Sequence, residues 1–149
     1  MANTNAPDGF TPAYHMSGGT IRPSEFAIAS ATDASIFSGD VVNLASGLVI
    51  QGTATGTPLG VFYGVEYQAA DGSIVFSNTW TADVVTLGSA NAKAFVYSDP
   101  DIVYEAQSTG TPTQASIGTT NTISTTAGNT NNGRSKEGVT TTTSSGIAT

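Results

Sequence analysis

Apolar residues in this chain recur at every second position in short runs, the period of a half-buried strand, and no segment sustains the 3.6-residue period of an amphipathic helix. The clearest run is 59–67. Leu59, Val61, Tyr63, Val65 and Tyr67 fall on one face of an extended chain, and Gly60, Phe62, Gly64 and Glu66 on the other. Two glycines on one face predict either the close approach of another backbone or ring, or the sharp curvature of a small barrel. Residues 40–44 and 48–51 are short strand-like runs separated by Ala45-Ser46-Gly47, which predicts a tight hairpin. Asp71-Gly72 predicts another turn, leading into a strand over 73–80 in which Ile74, Phe76 and Trp80 share a face. Residues 92–97 and 102–107 read as a further pair around Ser98-Asp99-Pro100-Asp101, where proline fixes one backbone angle and the aspartates can bond their own backbone. A short turn near 32–37 is the one helix-like possibility. Together these elements predict an all-β fold, a small β-barrel or sandwich with connections of hairpin length.

Outside that body the pattern changes. Residues 1–22 are too rich in Pro and Gly for a helix and carry no apolar stripe, yet they hold Phe10 and Tyr14, which a purely solvated tail does not need. They read as an extended N-terminal arm whose few large side chains dock on a neighbour. Residues 23–107 carry every remaining aromatic and form the β-barrel or sandwich core. Residues 108–149 are a polar, Thr-rich extended segment whose large aliphatics are Ile117, Ile123, Val139 and Ile147, with a loop tip at 129–133. Threonine favours extended backbone and charge is too sparse for ordinary disorder, so this segment is expected to find its backbone partners by strand addition at a sheet edge.

Charge narrows the function. Only 10% of the 149 residues are charged, so Thr, Ser, Asn and Gly solvate the surface. The net charge is −7 and the cations are Arg22, Lys93, Arg134 and Lys136, which argues against nucleic acid or an anionic membrane as partner. Cysteine is absent, so neither a disulfide nor a thiolate metal site can form. The N-terminus lacks a basic region followed by an apolar run, and no window approaches the roughly 18 apolar residues of a membrane span. A protein made in a cytoplasm and used outside it only after assembly is expected.

Candidate chemistry is thin. His15 is the single histidine and would have to serve any Ser-His-Asp relay, but it lies in the arm, where an interface hydrogen bond is the plainer role. Asp99, Asp101 and Glu105 cluster around a turn; such carboxylates can bind calcium or cleave glycosides, yet aspartates flanking Pro100 are expected for local reasons. The 129–134 run lacks the glycine spacing and the Lys-Ser/Thr pair of a phosphate loop. No catalytic residue, cofactor or metal ligand is therefore expected, and the chain does not read as an enzyme. Tyr63, Tyr67, Trp80, Tyr97 and Tyr104 could line a carbohydrate platform, but filling a core or a subunit interface is the stronger role for them.

Several runs resemble a family of small tailed-phage virion proteins encoded beside the major capsid protein, the capsid decoration (cement) proteins. They are Ser17-Gly18-Gly19-Thr20-Ile21-Arg22, Ile36-Phe37-Ser38-Gly39-Asp40-Val41-Val42, Leu59-Gly60-Val61-Phe62 with Glu66-Tyr67, Val75-Phe76-Ser77, and Ala92-Lys93-Ala94 to Tyr97-Ser98-Asp99-Pro100. The Gly39-to-Val42 run leading to Leu59-Gly60-Val61 also looks like the barrel of head-decoration proteins of the lambda type, a fold analogy. The resemblance implies a protein on the outer surface of an icosahedral shell, assembled in the host cytoplasm. It would act as a homotrimer whose arm lies across neighbouring major capsid protein subunits. Phe10, Tyr14 and Ile21 would be the apolar anchors and Arg22 the arm's charge-assisted donor. Members of that family run past the Thr-rich region into a further β segment, so either this chain is naturally short or C-terminal strands are missing, in which case the barrel would close differently or take a strand from a neighbour. The competing expectation is a receptor- or glycan-binding β module of a virion fibre or surface structure, using exposed Tyr and Trp.

Overall fold

The computed structural model describes residues 6–54 and 56–143, and apart from two single-turn 3-10 segments, Leu87–Ser89 and Gln114–Ser116, their regular structure is all strand. In chain order the strands are β1 (Thr11–His15), β2 (Ser24–Ile28), β3 (Ile36–Phe37), β4 (Val41–Ala45), β5 (Leu48–Gln51) and β6 (Pro58–Gln68). They continue with β7 (Ile74–Ser77), β8 (Thr79–Trp80), β9 (Ala92–Tyr97), β10 (Ile102–Glu105), β11 (Asn121–Ser124) and β12 (Gly138–Thr143). Five of them close a barrel in the order β4-β5-β2-β9-β6, with β6 returning to β4. Closure leaves no unpaired edge among these five, which is how a small all-β body avoids sticking to its copies. Every pairing in the ring is antiparallel except β2 with β5.

The long β6 makes the closure possible. Its first residues pair with β4, its middle with β9, and its last four with β7, so β7 takes over the edge that β4 leaves. Two register shifts bend it, one opposite Val42 and Asn43, the other between Phe62 and Gly64. The second corrects the alternation expected over 59–67. Phe62 and Val65 both belong to the core although they are three apart, and Tyr63, at the bulge, is 53% exposed. Both glycine expectations are met. A Cβ on Gly60 would collide with the Tyr97 carbonyl of β9, and one on Gly64 would lie 2.9 Å from the Ser77 carbonyl of β7, in a strand that also curves to close a barrel.

The core draws on every barrel strand: Ile28, Val42, Val49, Phe62 and Val65, with Ala92, Ala94 and Val96 alternating along β9. Trp80 and Ile36 fill one end. The indole stands edge-on to Tyr67 at 5.4 Å, and its Nε1–H donates to Thr32 Oγ1 at 2.6 Å. The 32–37 segment is accordingly not a helical turn. Its side chains serve distant groups, Thr32 the indole and Ser35 the Ala82 N–H, and it ends in β3, which pairs with β8.

The 45–47 hairpin forms as expected, with positive φ at Ser46 and Gly47, the signature of a type I′ turn. Other pairings differ. The 73–80 run breaks at Asn78, so Trp80 is fully buried while Ile74 and Phe76 are 65% and 72% exposed on β7, which hangs outside the ring. The turn at 98–101 is present, Asp99 Oδ1 accepting from the Asp101 N–H at 2.9 Å. The strand after it does not return to β9, because β2 and β6 already occupy both edges of β9. β10 takes β1 instead, with Thr11 opposite Glu105 and His15 opposite Ile102. Part of the expected arm thus pairs with its own chain. The polar C-terminal segment likewise pairs internally, β11 with β12, and the expected tip at 129–133 closes through a Gly133 N–H to Asn129 carbonyl bond of 2.8 Å. Residues 1–5 of the expected arm and 144–149 of the C-terminal segment lie outside the described residues.

Candidate interaction surface

The expected anchor residues do not form one patch. Phe10 is half-buried. Its N–H donates to the Gly39 carbonyl at 2.9 Å, and with Pro12, Val61, Tyr63, Tyr97 and Arg134 it lines a shallow cleft of about 220 Å³ between the N-terminal segment and the barrel. Tyr14 lies further along β1 and is 59% exposed, with Met16 just beyond it at 64%. Ile21 is half-buried and Arg22 exposed in the stretch joining β1 to β2. The ribbon of β1 and β10 therefore presents Tyr14 and Met16 outward while Phe10 is spent on the cleft.

The tyrosines and tryptophan divide between two duties. Tyr67 and Trp80 pack at the core. Tyr63 and Tyr97 meet at 5.5 Å with tilted rings on the wall of the cleft. The Tyr104 hydroxyl donates to the Tyr97 carbonyl at 2.9 Å, which ties β10 to the end of β9. Burial pushes the Tyr104 phenol up to about 12, with Tyr97 and Asp99 adding to the effect, so it remains a donor throughout the neutral range. Exposed Ile74 and Phe76 were not foreseen, because alternation alone does not tell an inward face from an outward one; the register with β6 does.

Two of the four cations are committed to carboxylates. Arg134 is bound bidentately by Asp8, its Nε 3.1 Å from both carboxylate oxygens. Lys93 lies 3.7 Å from Glu25 and 3.9 Å from Glu66 across the outer face of β2, β9 and β6. Among the described residues Arg22 and Lys136 have no ion-pair partner; Arg22 is the one in the N-terminal stretch, its guanidinium free to grip a carboxylate elsewhere.

His15 stands in a chain of bonds that sequence alone did not suggest. Its Nδ1 lies 2.9 Å from Ser17 Oγ and accepts from the Ser17 N–H at 3.3 Å, while Nε2 lies 3.1 Å from Asp99 Oδ2. A backbone N–H can only donate, so Nδ1 carries the lone pair and Nε2 the proton directed at Asp99. The Asp101 N–H and His15 together hold the Asp99 carboxyl below its ordinary value. The order serine, histidine, aspartate is that of a nucleophile relay, but neither the cleft described above nor the hollow at Phe37, Asn78 and Asn132 includes any of the three. What the bonds do is latch the end of β1 to the 98–101 turn. His15, Asp99 and Asp101 also place ligand atoms within 4.8 Å of one another. Glu105, expected in that cluster, lies at the far end of β10 opposite Thr11. Three donors are about half of what calcium takes, and both Asp99 oxygens already have partners.

No protein-family model, no curated protein and no solved structure matches the chain.

Proposed function

We propose that this chain is a structural virion protein that decorates and stabilises an icosahedral phage capsid, binding on its outer surface across neighbouring major capsid protein subunits as a homotrimer. The observation that carries the proposal is the β1–β10 ribbon outside the barrel, which exposes Tyr14 and Met16, with an exposed Arg22 free of ion pairs further along the same stretch. Two apolar side chains and one free guanidinium make a small anchor of the kind found at interface hot spots. A single such contact is weak. Cement works because many copies each tie adjacent capsomers, and binding only the expanded shell shifts its equilibrium by mass action. The closed barrel suits this role as a rigid mount, and the runs quoted from the sequence point to the same class.

The test is co-sedimentation with mature capsids stripped of accessory proteins. Full-length protein should pellet saturably, and Tyr14→Ser combined with Arg22→Ala should weaken binding at least about tenfold, the loss expected when interface anchors go. Both side chains are solvent-facing, so the barrel should stay intact in the variant. If wild type and variant bind alike, the ribbon is not the anchor; if neither pellets, the decoration reading fails.

One observation favours a second reading, a glycan-binding module: Tyr63 is half-exposed against Tyr97 on an aromatic cleft where a sugar ring could stack. Tyr63→Ala should abolish glycan retention under this reading and leave capsid binding unchanged under the first.

A further inference from the structure

Two carboxylates from distant parts of the chain are sealed together inside the protein. Asp40, in the corner between β3 and β4, and Glu137, the residue before β12, are both 0% exposed. Each accepts from one backbone N–H. Asp40 Oδ2 accepts from the Phe37 N–H at 2.8 Å, and Glu137 Oε2 from the Val41 N–H at 2.8 Å. Asp40 Oδ1 and Glu137 Oε1 are buried without a hydrogen-bond partner. Ser135, also buried, accepts from the Glu137 N–H at 2.9 Å and turns its hydroxyl toward Asp40; burial nonetheless outweighs that bond and raises the Asp40 carboxyl.

Three segments are laced together at this point. The Gly9 N–H donates to the Glu137 carbonyl at 3.2 Å, the Phe10 N–H to Gly39 at 2.9 Å, and the Ser135 N–H to Ser38 at 2.9 Å. The charged groups on these segments are Asp8, Arg134 and Lys136. Arg134 is committed to Asp8, and among the described residues no cation pairs with Asp40 or Glu137. The site is also close-packed. A Cβ on Gly9 would lie 2.5 Å from Ser135 Cβ and 2.8 Å from the Gly39 carbonyl. Two buried carboxylates without a cation cannot both stay ionised at tolerable cost. A calcium ion needs six to eight oxygens, whereas a proton needs no space.

We propose that this pair of buried carboxyls keeps a proton on Glu137, and that this proton fastens the N-terminal segment and the C-terminal hairpin to the barrel, so that both undock together as pH rises. The geometry makes the direction plain: loss of the proton leaves two neighbouring anions in a site closed to water and without a cation. Burial, reinforced by the charge of Asp40, pushes the Glu137 carboxyl up to about 8 from an ordinary 4.5. The docked state therefore holds the proton in a window where the undocked state has released it. Docking is tightest below about 4.5, weakens up to tenfold per pH unit from there to about 8, and levels off above. This holds whatever the barrel binds.

Amide hydrogen exchange on the full-length protein between pH 5 and 9, corrected for intrinsic base catalysis, reads it directly. Protection at Gly9, Phe10, Ser135 and Val139 should fall in concert toward pH 8 and then flatten, while β2 and β9 amides change little. Glu137→Gln keeps an acceptor for the Val41 N–H and removes the titrating proton, so its protection should not vary with pH. Asp40→Asn should behave alike if Glu137→Gln folds poorly. Should neither variant fold, the Glu137 side-chain carboxyl carbon shift in wild type decides, with an inflection near 8 supporting the proposal and one below 5 overturning it. Wild-type protection flat across the range, or wild type and Glu137→Gln falling in parallel, would overturn it. So would full protection at pH 8.5 restored by millimolar calcium or magnesium, which would assign the site to a cation.

Discussion

Gly60 and Gly72 look interchangeable as glycines near one long strand, yet their replacement fails for different reasons. Gly60 is confronted by the Tyr97 carbonyl, and backbone cannot swing aside, so Gly60→Ala should cost about 3 kcal/mol in urea denaturation. Gly72 has open space around its α-carbon but a φ of +88°, so Gly72→Ala should cost only about 1 kcal/mol. Comparable losses would mean that the strands do not meet as closely at Gly60 as the barrel requires. Thr32 makes a similar point about polar groups. Thr32→Val removes the acceptor of a buried indole N–H and should destabilise by about 1–3 kcal/mol, with the Trp80 fluorescence reporting the same transition. That Trp80 would fill a core or an interface was legible from the sequence; that it, and not Ile74 or Phe76 of the same run, would be the buried one was not. That Thr32 would serve it was not, because the two are 48 positions apart.

At the scale of elements, pairing is decided by which edges are free. The 98–101 turn was readable from Pro100 and its aspartates, since those residues act on their own backbone. The destination of the strand after it was not readable, because it depends on β2 and β6 already flanking β9. The resulting β1–β10 ribbon lies outside the barrel, and its far end is latched by His15 to Asp99 and by the Met16 N–H to the Asp101 carbonyl at 2.9 Å. His15→Ala should therefore raise hydrogen exchange at Met16 and Ile102 while leaving β9 protected; uniform loss of protection would place His15 in the global core instead. The candidate anchors divide along the same line. Tyr14 and Arg22 are exposed and Ile21 is half-buried. Phe10 was grouped with them, but the cleft against Tyr97 absorbs it.

For the whole molecule, stability against pH should have an unusual shape. Burial raises the Asp40 and Glu137 carboxyls, a contribution lost as pH climbs from about 4.5 toward 8. Local hydrogen bonds lower Asp71 and Asp99, a contribution present above their ordinary 3.8 and lost as pH falls through their folded values. The urea midpoint should accordingly peak near pH 4–5 and decline toward 8, with self-repulsion from a net charge of −7 acting in the same direction. A midpoint that rises steadily to pH 8 would contradict the burial of two carboxyls without a cation. By itself the sequence determined the all-β class, the hairpin at 45–47, the turns at 71–72 and 98–101, and the need for glycine at Gly60 and Gly64, because period-two alternation and turn chemistry act over a few residues. Only the tertiary structure decided the closure of β6 onto β4, the inward turn of both Phe62 and Val65 across a bulge, the exposure of Phe76, and the meeting of Asp40 with Glu137. Each of these depends on which distant strand occupies which edge, a competition among long-range pairings that no local run of residues encodes.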